Sequence, residues 1–240
     1  MMKTRSRIEY KYYLPQHERA NFINDLKKFT KKDKYGQGED SVYQISSVYF
    51  ETLGLKSYFD KLKGESDRLK LRVRFYRPLN VTGPIKVELK YRRLDKVIKK
   101  TILMSYECVQ NLLKSDFNSS QLDDTDPLIS YFIKLRKAEH YYPFIRIDYS
   151  RNAFFAKNDD GIRVTIDAKT YCSRFFGDIQ IKPHIPVLSE EVQILELKCQ
   201  DYIPFWFVYL IKKYSLQQSS ISKYLLSAQK QACNSSLFLK

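Results

Sequence analysis

The chain has 240 residues, 43% of them hydrophobic, and 42 Lys+Arg against 27 Asp+Glu give a formal charge of +15. That length and apolar content suffice for one domain with a proper core, and the surplus of cations selects an acidic partner: nucleic acid, a phosphate polymer, a nucleotide or anionic lipid. Cys108, Cys172, Cys199 and Cys233 are scattered without a Cys-x-x-Cys pair, which argues against a zinc site or a disulfide framework and reads them as reduced, structural thiols.

Residues 1–14 are basic and lack the apolar h-region of a signal peptide, so the expected compartment is the cytoplasm. Within them Arg7-Ile8-Glu9-Tyr10-Lys11 alternates with a period of two, which predicts a β-strand over 5–14. A helix is expected from Pro15, whose fixed φ suits a first helical position, to Phe29, with Phe22, Leu26 and Phe29 on one side. The polar stretch 31–40 ends it. A strand over 41–50 and a short helix over 55–62 follow. Lys70-Leu71-Arg72-Val73-Arg74 and Lys86-Val87-Glu88-Leu89-Lys90 repeat the charged alternation inside expected strands 68–76 and 85–92, with a further strand over 96–104.

Helices at 106–113 and 127–137, with a loop at 118–126 between them, separate these strands from a second set at 144–154, 162–168 and 192–199. That set carries Arg163-Val164-Thr165-Ile166-Asp167 and Leu195-Glu196-Leu197-Lys198. The most apolar run, 203–211 around Trp206, is about half the ~20 residues that a bilayer-spanning helix needs, which makes it a core or interfacial helix. Helices are expected at 204–214 and 219–228, the second capped by Ser219 or Ser220. No internal repeat or linker interrupts the chain, and one domain over 1–240 is expected.

Each alternating segment has one apolar and one charged face. In an ordinary small barrel the apolar face fills the interior. Here helices can cover the apolar faces from outside and leave the charged ones to line the lumen. Burying so many like charges dry is prohibitive, so such a lumen has to be wet, interleaved with carboxylates and occupied by anions in use. Glu9, Glu88 and Glu196, each two residues before a lysine, meet the second condition.

In order and spacing, the segments Arg7-Ile8-Glu9-Tyr10-Lys11-Tyr12, Ser47-Val48-Tyr49-Phe50-Glu51-Thr52, Leu69-Lys70-Leu71-Arg72-Val73-Arg74-Phe75-Tyr76, Val87-Glu88-Leu89-Lys90, Ile147-Asp148-Tyr149-Ser150-Arg151-Asn152-Ala153-Phe154, Arg163-Val164-Thr165-Ile166-Asp167, Leu195-Glu196-Leu197-Lys198 and Ser222-Lys223-Tyr224 resemble the VTC-type polyphosphate polymerase domain of the triphosphate tunnel (CYTH-like) superfamily. The resemblance spans almost the whole chain. It implies an α+β fold, a closed antiparallel β-barrel tunnel of about eight strands with helices packed outside. It implies that Lys11, Arg72, Arg74, Lys90, Arg151, Arg163, Lys198 and Lys223 contact phosphoryl oxygens and that Tyr149 lines the same wall. Lys70 and Lys99 are further tunnel bases, Lys99 being chosen over its neighbour Lys100. Glu196 would hold Mn²⁺ or Mg²⁺ bridging the phosphates. Glu9 and Glu88, placed with the substrate-binding residues, stand evenly between charge balance for neighbouring lysines and metal binding. The implied partners are ATP and polyphosphate rather than nucleic acid. A free-standing, cytoplasmic, bacterial form is expected, working alone or, at the inner face of a membrane, on a separate membrane partner that moves the product.

Hydrolytic members of the superfamily carry Glu-x-Glu-x-Lys on the first strand, and here Arg7 takes the first acidic position, which favours a polymerase over a tripolyphosphatase or nucleoside triphosphatase. A non-catalytic binder of RNA or polyphosphate is the alternative from another class, but a single-strand groove needs stacking aromatics rather than glutamates among its bases. Other residues have plainer readings. Asp167 is expected to pair with Arg163 or another base. Arg146 has the opposite parity to Tyr149 and Arg151 and enters the lumen only through a bulge. Lys223 lies on an expected helix, where exposure is the default. His17, His140 and His184 fall outside the strand motifs. The tyrosines are read as sheet packing, with Tyr12 and Tyr43 also weighed against phosphate.

Overall fold

The computed structural model describes residues 8–33, 42–77, 85–93, 96–114, 116–122, 126–200 and 202–234. The strands are β1 (Ile8–Pro15), β2 (Thr30–Lys32), β3 (Val42–Glu51), β4 (Arg68–Arg77), β5 (Ile85–Arg93), β6 (Lys96–Met104), β7 (Tyr142–Ala156), β8 (Arg163–Arg174), β9 (Ile185–Pro186) and β10 (Val192–Cys199). The helices are α1 (Arg19–Phe29), α2 (Lys56–Leu62), α3 (Tyr106–Leu113), α4 (Pro127–Ala138), α5 (Phe205–Lys213) and α6 (Lys223–Asn234). One 10-stranded sheet runs β1-β10-β8-β7-β3-β4-β5-β6, with β2 added on β7 and β9 on β8. Its path ends at β1 and β6, and among the described residues no pairing joins those two strands, so the fold is α+β around an antiparallel sheet that hydrogen bonds do not close.

Two compact units divide the chain: Met1–Gln44 with Tyr149–Thr170 and Pro186–Ser222, and Ile45–Asp148 with Tyr171–Ile185 and Lys223–Lys240. In the first, β1 and β10 pair antiparallel with Tyr12 opposite Leu195 and Tyr10 opposite Leu197, and β10 pairs with β8 so that Leu197 faces Val164 and Leu195 faces Ile166. Because side chains alternate across a strand, these residues share one face. α1 and α5 cover it with Phe22, Leu26, Trp206, Phe207 and Leu210, and Phe29 stacks on Trp206 at 5.5 Å. Each fully buried Leu or Phe here contributes roughly 1.5–3 kcal/mol over its exposed state.

The second unit repeats the arrangement with other helices. Leu71, Val73, Phe75, Val87 and Leu89 of β4 and β5, with Val48 and Phe50 of β3, pack under Val109 and Leu112 of α3 and Phe132 and Leu135 of α4. Both helices start where their sequences say they should. The Ser105 hydroxyl accepts from the Cys108 N–H to cap α3, and the Asp126 carboxylate accepts from the Leu128 and Ile129 N–H groups ahead of Pro127 in α4.

Several expectations need correction. Pro15 does not open a helix: it ends β1 opposite Val192, and a 3₁₀ turn over Gln16–Glu18 precedes α1. The expected strand at the start of the chain is described only from Ile8, and Arg7 lies outside the described residues. The stretch after α1 forms β2, paired with residues 154–156 of β7, before the description breaks at residue 34. A 3₁₀ turn, Ser119–Gln121, sits in the expected loop. The last helix begins at Lys223 rather than Ser219 because 218–221 is tied down elsewhere: Tyr12 bridges Gln218, the Ser219 N–H donates to the Lys11 carbonyl at 2.8 Å, and Lys11 Nζ donates to the Ile221 carbonyl at 2.9 Å.

Candidate functional site

With the apolar sides under helices, each unit presents the opposite, charged side of its strands. In the first unit register alone brings the charged residues together: Glu9 lies opposite Lys198, Lys11 opposite Glu196, and Lys198 opposite Arg163. Lys198 Nζ sits 3.2 Å from Glu9 and 3.3 Å from Glu196. Arg151 grips Asp167 with a two-bond fork, Nε to Oδ1 at 2.6 Å and Nη2 to Oδ2 at 2.7 Å, and its guanidinium lies 5.3 Å from the Tyr149 ring. Both partners are buried. Burial works against the charge of Arg151, but Asp167 overrides it and drives its pKa well above the usual arginine value. Arg163 Nη2 donates to Asp33 at 2.8 Å and to the Tyr43 hydroxyl at 3.0 Å. Every cation named here faces a carboxylate or a carbonyl, so this face is close to balanced.

The second unit gathers three cations on one carboxylate. Glu88, 2% exposed, receives Arg72 Nε at 2.6 Å, has Arg74 Nε at 3.7 Å and touches Lys99 Nζ. Burial alone would raise the Glu88 carboxyl, but Arg72, Arg74 and Lys99 outweigh it and hold the group well below the usual carboxylate range. Lys70 and Lys90, opposite one another on β4 and β5, bring further positive charge to the same side. Lys99 is opposite Lys90, so it and not Lys100 shares the charged side. Its ammonium is pushed below the ordinary lysine value, first by burial and then by the neighbouring arginines, against the pull of Glu88.

β3 supplies neutral partners to the same side. Ser47 Oγ accepts from Arg74 Nε at 3.4 Å and the Tyr49 hydroxyl accepts from Arg72 Nη1 at 2.9 Å. Burial works to raise the Tyr49 phenol, yet Arg72, Arg74 and Lys70 pull it down to about 8. Two residues on, the fully buried Glu51 accepts from the N–H groups of Thr52, Ser57 and Tyr58 at 2.9, 3.0 and 3.1 Å and from the Tyr224 hydroxyl. The Tyr224 ring lies 5.2 Å from Lys70 Nζ and 5.4 Å from the Tyr49 ring, and Lys223 is the first residue of α6.

The sequence-derived residues thus fall into two groups. Glu9, Lys11, Tyr149, Arg151, Arg163, Glu196 and Lys198 belong to the first unit, and Lys70, Arg72, Arg74, Glu88, Lys90, Lys99 and Lys223 to the second. Of the two partners expected for Asp167, Arg163 or a neighbouring base, the second is found: it pairs with Arg151 of the adjacent strand β7. Arg146 is buried, held by Asp148 and by the carbonyls of Ile179 and Ile181, a structural role that fits its parity. Tyr12 packs edge-on against Phe207 at 5.8 Å, away from the charged side. Ser47, Tyr49, Glu51 and Asp33 were not singled out as site residues from sequence. The strand motif around Tyr49 carried parity enough to find the first three, whereas nothing local marked Asp33, in a polar stretch, as a buried partner.

The family model described as VTC domain matches residues 6–231. Among curated proteins no match was found. No helix of the described residues is long and apolar enough to cross a membrane.

Proposed function

The chain belongs to the VTC domain family, and from that premise we propose that it is a polyphosphate polymerase, transferring the terminal phosphoryl group of ATP to a growing polyphosphate chain in a barrel tunnel walled by its charged strand faces. The observation that carries this reading is the convergence of Arg72, Arg74 and Lys99 on the buried Glu88. Phosphoryl transfer asks for little covalent chemistry. It needs the attacking and leaving oxygens in line and the charge on the phosphoryl oxygens neutralised.

Glu88 and Tyr49 hold the Arg72 guanidinium from two sides, which orients it before any anion arrives and spares reorganisation during the reaction. Arginine forks grip pairs of oxygens while Lys70, Lys90 and Lys99 act as point charges, so a repeating polyanion is held in register. The acceptor is a phosphate terminus, already anionic, and needs no general base. ADP and the lengthened chain are the products.

Mg²⁺ or Mn²⁺ suits the first unit's donors. Glu196 with Glu9, both on Lys198, offers the one or two carboxylates such an ion takes beside phosphate oxygens and water, and the described residues hold no group of three or more His, Cys, Asp or Glu that would cage a metal by protein alone. When bound there, the ion would add charge neutralisation at the phosphates. The proposed setting is cytoplasmic, with a separate membrane protein moving the polymer.

Incubation of the purified protein with ATP and Mn²⁺, resolved on a polyphosphate gel and by a free-phosphate assay, tests the reading. Long polymer from wild type, lost in Arg72→Ala and Glu196→Ala, is expected. Free phosphate without polymer would make it a hydrolase, and neither product with metal-independent polyanion binding would leave a binding module.

A further inference from the structure

Tyr224 is a buried phenol with an unusual set of neighbours. Its hydroxyl donates to Glu51, a carboxylate without solvent exposure that also accepts from the first N–H groups of α2. Glu51 is thereby fixed from three backbone donors and cannot swing away with its phenol. Burial and the adjacent Glu51 charge both raise the Tyr224 pKa, which keeps the proton on the phenol at every ordinary pH and the hydrogen bond in one sense. The ring itself lies against Tyr49 of β3 and Lys70 of β4.

Lys223 is the residue immediately before this anchor and the first of α6, half-buried itself. A helix start is a place where backbone position is poorly determined, because its first N–H groups lack intrahelical partners and terminal turns fray. We infer that the Glu51–Tyr224 hydrogen bond is a latch that fixes the first turn of α6, and with it the Lys223 backbone, beside Lys70 of β4, making Tyr224 a positioning residue for polyanion binding. The inference rests on the functional reading above and deepens it. Lys223 sits on a flexible stem that would otherwise sample many rotamers, and an anchored first turn removes the backbone share of that freedom. The latch also explains why an otherwise apolar strand ending, Val48-Tyr49-Phe50-Glu51, buries a carboxylate: its acceptor capacity is shared between the start of α2 and that of α6.

The test is a double-mutant cycle on the full chain, with inorganic tripolyphosphate as probe and calorimetry as readout. Tyr224→Phe removes one oxygen from a ring whose packing stays, and Lys223→Ala removes the positioned charge. Each is expected to weaken tripolyphosphate about tenfold, a typical size for a lost charge-assisted contact. The double variant should bind within about twofold of Lys223→Ala alone, because a residue that acts through another is non-additive with it. Glu51→Gln, which keeps the side-chain shape, should follow the same pattern and serves if Tyr224→Phe unfolds. A general structural lesion would lower affinity in the Lys223→Ala background as much as in wild type. Multiplicative losses, or wild-type affinity in a folded Tyr224→Phe, would overturn the latch while leaving the polyanion reading intact. A wild type that does not bind tripolyphosphate would overturn both.

Discussion

Replacing Glu88 by Gln removes the one carboxylate on which Arg72, Arg74 and Lys99 converge, at 2.6 Å, 3.7 Å and direct contact. At an effective dielectric of about 20 a charge pair near 4 Å is worth about 4 kcal/mol gross, before the desolvation that the neutral amide no longer costs. Breaking a buried pair from one side typically costs about 3–5 kcal/mol, since the remaining charges stay buried without their counter-ion. For a chain of this size that corresponds to a fall in Tm of about 6–20 °C, at roughly 2–4 °C per kcal/mol.

The functional reading adds a second, opposite effect. With Glu88 neutralised the net positive charge beside Arg72, Arg74 and Lys99 rises, so tripolyphosphate should bind tighter, and at one hundred times Kd it returns about 2.7 kcal/mol. The sign with pH is fixed. A carboxyl held below its unfolded value of about 4.3 stabilises fully above that pH and loses the contribution as pH falls toward the folded value. Thermal melts of wild type and Glu88→Gln, with and without tripolyphosphate, at neutral pH and below pH 4, measure all of this. The reasoning is refuted if Glu88→Gln melts with wild type at neutral pH, or if tripolyphosphate stabilises it less than it stabilises wild type.

Tyr49 should ionise near 8, visible as tyrosinate absorbance at 295 nm. Its phenol is lowered, so its contribution to stability is full above about 10 and is lost as pH falls through about 8. Arg72→Ala should move the titration back up, and so should bound tripolyphosphate. Asp167→Asn should destabilise by about 3–5 kcal/mol in denaturant titration, because Arg151 is buried with its fork on that carboxylate. Ser105→Ala, which removes the cap of α3, should cost about 1 kcal/mol and leave tripolyphosphate affinity unchanged.

Period-two charge made the strands legible, because a strand with one covered face has to alternate. β5, β6 and β10 and helices α3 and α5 lie within a residue of where pattern and caps put them. What stayed hidden depended on partners distant in sequence. Pro15 satisfies a helix-start rule, yet its neighbour Gln16 donates its N–H to the Glu191 carbonyl and the chain stays extended through Pro15. β2 is three polar residues with no periodicity of their own, defined only by Phe154 to Ala156 beside them. Lys99 and Lys100 cannot be told apart until the register with Lys90 is known. In the site, the cations were readable as a class, whereas their individual carboxylates, Asp33 for Arg163 and Asp167 for Arg151, were not, since each pair is made by tertiary packing.

The central claim is transfer of the terminal phosphoryl group of ATP into polymer. Parallel reactions with ATP labelled at the γ- or the α-phosphate, followed by size separation, address it most directly. The account predicts γ-label in long polyphosphate and α-label confined to ADP and unreacted ATP. Label from the γ-position appearing only as free orthophosphate, with no polymer at any time, would contradict it.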